Sequence, residues 1–137
     1  MEIILKNLQK KIPISRGKIL KAAKEAFCEL EKRERFKVPP FSLSIVFVGT
    51  MRMRSVNKRY LDHDHVTDVL TFDLGDGQAE IMICPQVAQK NAKAFQTSTD
   101  NEMILYLIHG ILHLAGYDDH SEKDILKMRH MENKLLK

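Results

Sequence analysis

Apolar positions along the chain recur with two periods, and these periods divide it into strands and helices. Residues 2–6 alternate weakly and predict a short strand. A helix is expected from Arg16 to Arg35, because Ile19, Ala23, Phe27 and Leu30 recur at helical spacing and Ser15 stands where a cap would. Pro39-Pro40 stops anything helical. Ser42 to Val48 (SLSIVFV) is β-branched and aromatic, which predicts a central strand. Gly49-Thr50 then turns the chain into a second helix, with Thr50 as the expected cap and Met53, Val56 and Tyr60 on its apolar face.

Residues 62–68 (DHDHVTD) read as a polar loop. Val69–Leu74 and Ala79–Cys84 predict two more strands joined by the turn sequence Gly75-Asp76-Gly77. Pro85 suits the first position of a helix running to Phe95. Thr99 and Glu102 form a T-x-x-E capping box ahead of a long apolar helix, which Gly116 is placed to end. Ser121 and Asp124 repeat the capping pattern before a last helix carrying Ile125, Met128, Glu132 and Leu135. Strands and helices mix without a regular βαβ rhythm. The expected class is α+β: one small mixed sheet of about four strands covered by about five helices.

Length and composition narrow the setting. The 137 residues, 44% of them apolar, fit one domain over residues 1–137 with a packed core. No apolar run approaches the roughly 20 residues that span a bilayer, so no membrane partner is expected. The N-terminal MEIILK lacks a basic region followed by a long apolar stretch, so no signal peptide is expected. Two cysteines, Cys28 and Cys84, suit a reducing cytoplasm and are expected to be buried small hydrophobes. No second cysteine lies near Cys84, which argues against a metal role for it. The net charge of +4 permits a phosphate-rich partner without demanding one.

Chemistry concentrates in His109-Gly110-Ile111-Leu112-His113-Leu114-Ala115-Gly116-Tyr117-Asp118-Asp119-His120. An i, i+4 histidine pair projects from one helical face, so His109 and His113 can occupy adjacent corners of a metal tetrahedron. Ile104, Leu107, Ile108, Ile111, Leu112 and Ala115 form an apolar stripe on nearly the opposite side, and Leu105 and Leu114 flank the histidines. The helix should be buried almost all round, and buried imidazoles need partners. A bare H-x-x-x-H is commonly two satisfied histidines. Here Gly116 breaks the helix and the chain returns with Asp119 and His120, which is the order of an open three-ligand site.

This segment resembles the signature of the YbeY family of bacterial endoribonucleases, HGxLHLxGYDH. Asn57, Tyr60, Asp64 and Thr67-Asp68-Val69-Leu70-Thr71-Phe72 resemble the family's N-x-x-Y…D-x-x-T-D-V-L-S-F block. Glu80 to Pro85 and Glu102 match in place. The resemblance implies a zincin-like metal helix and one zinc or other divalent ion per chain, with His109 and His113 as catalytic metal ligands. It also implies cleavage of single-stranded RNA in maturation of the small-subunit ribosomal RNA 3′ end and in ribosome quality control, with the small ribosomal subunit as partner. The family's third histidine falls six positions after the second, where this chain has Asp119, and His120 follows. Spacing favours Asp119 as third ligand. Chemistry and family habit favour His120, if the turn holds one extra residue. After Tyr60 the family usually has an arginine implicated in activity, and here it is Leu61. Arg59 would point elsewhere on that helix. Arg52, Arg59 and His63 are the candidate cations for RNA phosphate. His63 and His65 suggest a second metal site, but loop histidines flanked by acids are usually only loop.

Two other functions fit part of the pattern. A zinc peptidase carries HExxHxxGxxH, whose glutamate is the general base; Gly110 holds that position and has no side chain to take a proton. A ribosome-associated binding protein with a structural metal would need a fourth protein ligand.

Overall fold

The computed structural model describes residues 1–33, 40 and 42–136. Along these the chain runs β1 (Glu2–Asn7), α1 (Arg16–Lys32), β2 (Ser42–Phe47), α2 (Thr50–Leu61), β3 (Val69–Gly75), β4 (Gln78–Ile83), α3 (Pro85–Phe95), α4 (Thr99–Leu114) and α5 (Glu122–Leu136). The strands form one sheet in the order β1-β2-β4-β3. β1, β2 and β4 run parallel, and β3 returns antiparallel to β4. The fold is α+β as expected, with β2 inside the sheet and β3 on an edge. The expected helix extension to Arg35, and Pro39 of the proline stop, lie outside the described residues.

Strand alternation sorts the side chains. Leu43, Ile45 and Phe47 of β2 and Ala79, Ile81 and Ile83 of β4 face one side, where Ile19, Phe27 and Leu30 of α1, Leu107 and Ile111 of α4 and Met128 of α5 complete the main core. Val46, Val48, Leu70, Met82 and Cys84 face the other side and meet Met53 of α2. The β3–β4 hairpin turns through left-handed backbone at Gly75, Asp76 and Gly77 (φ +79°, +52° and +75°), the conformation that its glycine-rich sequence favours.

Helix α4 packs against α1, α3, α5, β3 and β4. At Gly110 it comes so close to the sheet that a β-carbon would lie 2.9 Å from Thr71 Oγ1 and 3.0 Å from Ile81 Cδ1. A glycine inside a helix costs about 1 kcal/mol relative to alanine, and this contact is what requires one. The helix ends in a Schellman motif: the Tyr117 N–H donates to Leu112 O and the Gly116 N–H to His113 O, both at 3.0 Å, with Gly116 at φ +98°.

Several local expectations are corrected. The α4 cap is Ser98, one residue before Thr99; its Oγ accepts from the Asn101 N–H at 3.0 Å, and Ser98 has the extended backbone a cap requires. Glu102 is buried rather than reaching back to a cap. Ser15 makes no side-chain cap, because at ψ 83° its hydroxyl leaves the helix end and donates to Asp100 Oδ2 at 3.2 Å. Gly49, not Thr50, caps α2, and the Thr50 N–H donates to Gln86 Oε1. Tyr60 is 64% exposed, and Asn57 takes the inward position, its Nδ2 donating to His65 O at 3.1 Å and tying the 62–68 loop to α2. Cys84 is buried, whereas Cys28 is exposed, since the residue after Phe27 lies about 100° round the helix from it. Burial raises the Cys84 thiol pKa. Among the described residues no helix is long and apolar enough to cross a membrane.

Replacing Gly110 by alanine should destabilise the protein by about 1–3 kcal/mol, because Thr71 and Ile81 must move to admit the methyl group. Urea unfolding measures it. A variant as stable as the parent would show that α4 is not pressed against the sheet.

Candidate metal centre

Gly110 facing the sheet sets where the histidines point. At about 100° per residue, His109 and His113 lie about 100° and 60° round α4 on the same side of Gly110. Both imidazoles therefore look into the cleft between α4 and edge strand β3, and each is about 30% exposed. The rings meet edge to face at 4.7 Å, with His109 Nε2 and His113 Nε2 3.1 Å apart. Two nitrogen donors on a tetrahedral zinc sit about 3.3 Å apart, so this spacing suits a shared ion.

The turn after Gly116 brings Asp119 over the pair. Its Oδ2 lies 3.9 Å from His109 Nε2 and 3.8 Å from His113 Nε2. His109, His113 and Asp119 thus offer three ligand atoms all within 4.8 Å of one another. His120 belongs to a separate group with Asp118 and Asp119; its side chain is 88% exposed and its Nε2 lies 3.8 Å from Asp118 Oδ1. Asp119, and not His120, thus lies in the group that contains both α4 histidines.

Glu132 of α5 completes the site from behind. Its Oε1 is 3.2 Å from His109 Nδ1. A carboxylate only accepts, so Nδ1 carries a proton, and in the neutral ring Nε2 keeps its lone pair toward the cleft. That lone pair confronts His113 Nε2, and the contact is satisfied by a proton or a cation between them. The donor set, two imidazoles and a carboxylate converging on one point, is chemically suited to a borderline-soft divalent ion. The hydrogen bond that His109 donates to Glu132 raises the His109 pKa, against the lowering effect of burial. His113 goes the other way: burial and the neighbouring His109 lower its pKa.

The remaining candidates lie elsewhere. Arg52 lines a cavity of about 490 Å³ with Lys6, Tyr60, Phe72 and Glu80, on the sheet side away from α4. His63 stacks on His65 at 5.6 Å, and neither belongs to a three-donor group among the described residues. Arg52, Arg59 and His63 line neither cavity at His109. Leu61 is 45% exposed. Glu132 was legible only as one residue of the last helix. The available signal was an acid four residues after Met128, on a face otherwise apolar.

A mixed sheet under a helix that presents an H-x-x-x-H pair to an open cleft defines an α+β protein with a candidate metal centre. The chain belongs to the YbeY family: the family described as Endoribonuclease YbeY matches residues 4–137. A Chlorobium luteolum protein named Endoribonuclease YbeY is 38% identical over 97 residues, 69% of this chain and 71% of that protein. One of the same name from Thermotoga neapolitana is 37% identical over 118 residues, covering 82% and 77%. One from Chloroherpeton thalassium is 33% identical over 137 residues, covering 98% and 92%. The solution structure of the Thermotoga maritima protein TM1509 superposes with a TM-score of 0.64 at 29% identity, covering 98% of this chain and 86% of that one.

In the metal-free protein, His109 should titrate at higher pH than His113, and Glu132→Gln should lower the His109 midpoint. Imidazole NMR titration reads both midpoints. Coincident midpoints, or a His109 midpoint unmoved in the variant, would contradict the Glu132 contact.

Proposed function

We propose that this chain is a metal-dependent endoribonuclease that hydrolyses phosphodiester bonds of single-stranded RNA. Its setting in this reading is the cytoplasm, in maturation of the small-subunit ribosomal RNA 3′ end and in ribosome quality control, with the small ribosomal subunit as partner. Residues 1–137 act as one domain. The observation that carries the reading is the three-donor group at an open cleft, in a chain whose relatives are named endoribonucleases.

His109, His113 and Asp119 would hold one divalent ion, with zinc the best match to two imidazoles and a carboxylate. Such an ion would supply Lewis acidity toward a phosphoryl oxygen and lower the pKa of a bound water to about 7. The protein's own residues do the rest. Burial and the neighbouring His109 lower the His113 pKa, which favours the neutral ring whose lone pair can bind an ion. Glu132 fixes the His109 tautomer that turns Nε2 to the cleft. The Schellman turn at Gly116 aims the chain so that Asp119 returns over the histidines. The cleft, about 600 Å³, is bounded by Thr67 and Asp68 before β3 and by Val69–Thr71 of that strand, beside the three donors.

The geometry weighs against the rival functions. A peptidase general base at position 110 would project into Thr71 and Ile81 rather than toward a substrate. A closed structural site needs a fourth donor, and among the described residues the His109 group has three.

His113→Ala should lose bound metal and RNA cleavage together; a variant that still cleaves normally would refute the metal mechanism. Asp119→Ala should lose most of its metal while His120→Ala keeps it, as read by metal analysis of the purified proteins. The reverse order would make His120 the third ligand. Incubated with unstructured RNA and with casein, the protein should nick the RNA only, and digestion of casein would favour the peptidase.

A further inference from the structure

Among the described residues, the cleft at β3 is one of two cavities lined by His109. A second, also about 600 Å³, lies between α4 and α5, and the two share Leu105, His109, Asp119 and Glu132. They form two arms meeting at the candidate metal ligands. Their linings differ in charge. The β3 arm carries Asp68 and Asp73 besides the shared Asp119 and Glu132, and among its lining residues there is no lysine or arginine. The α5 arm has an apolar floor of Leu105, Ile125, Met128 and Leu136, with Arg129 and Asn133 one helical turn apart along it. Arg129 is exposed and forms no ion pair among the described residues. Glu132, the acid nearest to it on α5, is hydrogen-bonded to His109.

We propose that the α5 arm is a nucleotide subsite: Arg129 and Asn133 hold an RNA phosphate next to the one being cleaved, and the adjoining base lies on the apolar floor. The assignment rests on the endoribonuclease reading. A polyanion crossing a groove that holds four carboxylates needs a fixed cation besides the metal. Arg129 is the one lysine or arginine lining either arm, among the described residues. Its planar guanidinium can grip two phosphate oxygens, while the Asn133 amide adds a neutral donor. The residue acts on binding rather than on the reacting atoms, so its loss falls on KM.

The test is steady-state cleavage of a single-stranded oligoribonucleotide by the metal-loaded parent, Arg129→Ala and Arg129→Lys, each at several salt concentrations. Metal content and unfolding midpoint are measured alongside. Arg129→Ala should raise KM by roughly 10–150-fold with little change in kcat, as expected for one charged hydrogen-bonding contact. It should also reduce the salt dependence of 1/KM by about 0.7 in log–log slope, the value for one lost phosphate contact on a single strand. Arg129→Lys keeps the charge but not the two-pronged grip, so it should restore the parent's salt slope and only part of the affinity, and metal content should stay at the parent's. An alanine variant with the parent's KM and salt slope overturns the subsite while leaving the endoribonuclease reading intact. A fall in kcat accompanied by metal loss also overturns it, by showing that Arg129 supports the ligand cluster. A metal-loaded parent that does not cleave RNA overturns the endoribonuclease reading and the subsite with it.

Discussion

The contact between α4 and the sheet at Gly110 governs this protein. Helix and strands approach until there is no space for a β-carbon beside Thr71 and Ile81. That approach buries Leu107, Ile108 and Ile111 completely or almost so. It also fixes the rotation of α4 about its own axis. With position 110 against the sheet, positions 109 and 113 must look sideways along the β3 edge. The main core and the candidate metal site are therefore two results of one packing decision, and an error in one would disturb the other.

Around that axis, the surrounding elements act on the imidazoles from three directions. The Schellman turn at Gly116 sends the chain back over them and supplies Asp119. Helix α5, held by Met128 and Met131 in the core, brings Glu132 to His109 Nδ1. Strand β3, as an edge, leaves the cleft open instead of closing it with another strand. Two half-buried imidazoles on a largely buried helix are tolerable only because each ring has partners. The opposite pKa directions of the two histidines follow from this: one has a carboxylate at its back, the other has burial and a neighbouring imidazole.

Much of this was legible in the residues, and the failures have local causes. Pro85 and Phe95 bound α3 as read, because proline at the first helical turn is an unambiguous signal. The cap of α4 was misplaced by one residue because Ser98 and Thr99 are both capable caps, and only backbone geometry chooses between them. Tyr60 and Asn57 exchanged roles because the 62–68 loop needs an anchor that helical periodicity does not register. Cys28 lies one residue off the α1 stripe, where a small hydrophobe reads as core until the helix is docked. The i, i+4 spacing of His109 and His113 was visible, but it pointed to a metal only together with Gly116, Asp119 and His120 after it. Glu132 and Arg129, nineteen and sixteen residues beyond His113, come to share a cavity with His109 only through the packing of α5 on α4, a tertiary contact that no local pattern encodes.

The central claim is that two imidazoles and one carboxylate share an ion at the cleft. X-ray absorption at the metal edge of zinc-loaded protein tests it most directly. The account predicts a nitrogen and oxygen shell near 2.0–2.1 Å, with outer scattering from two imidazole rings and no sulfur. A sulfur shell near 2.3 Å, or the signature of a single imidazole, would contradict it.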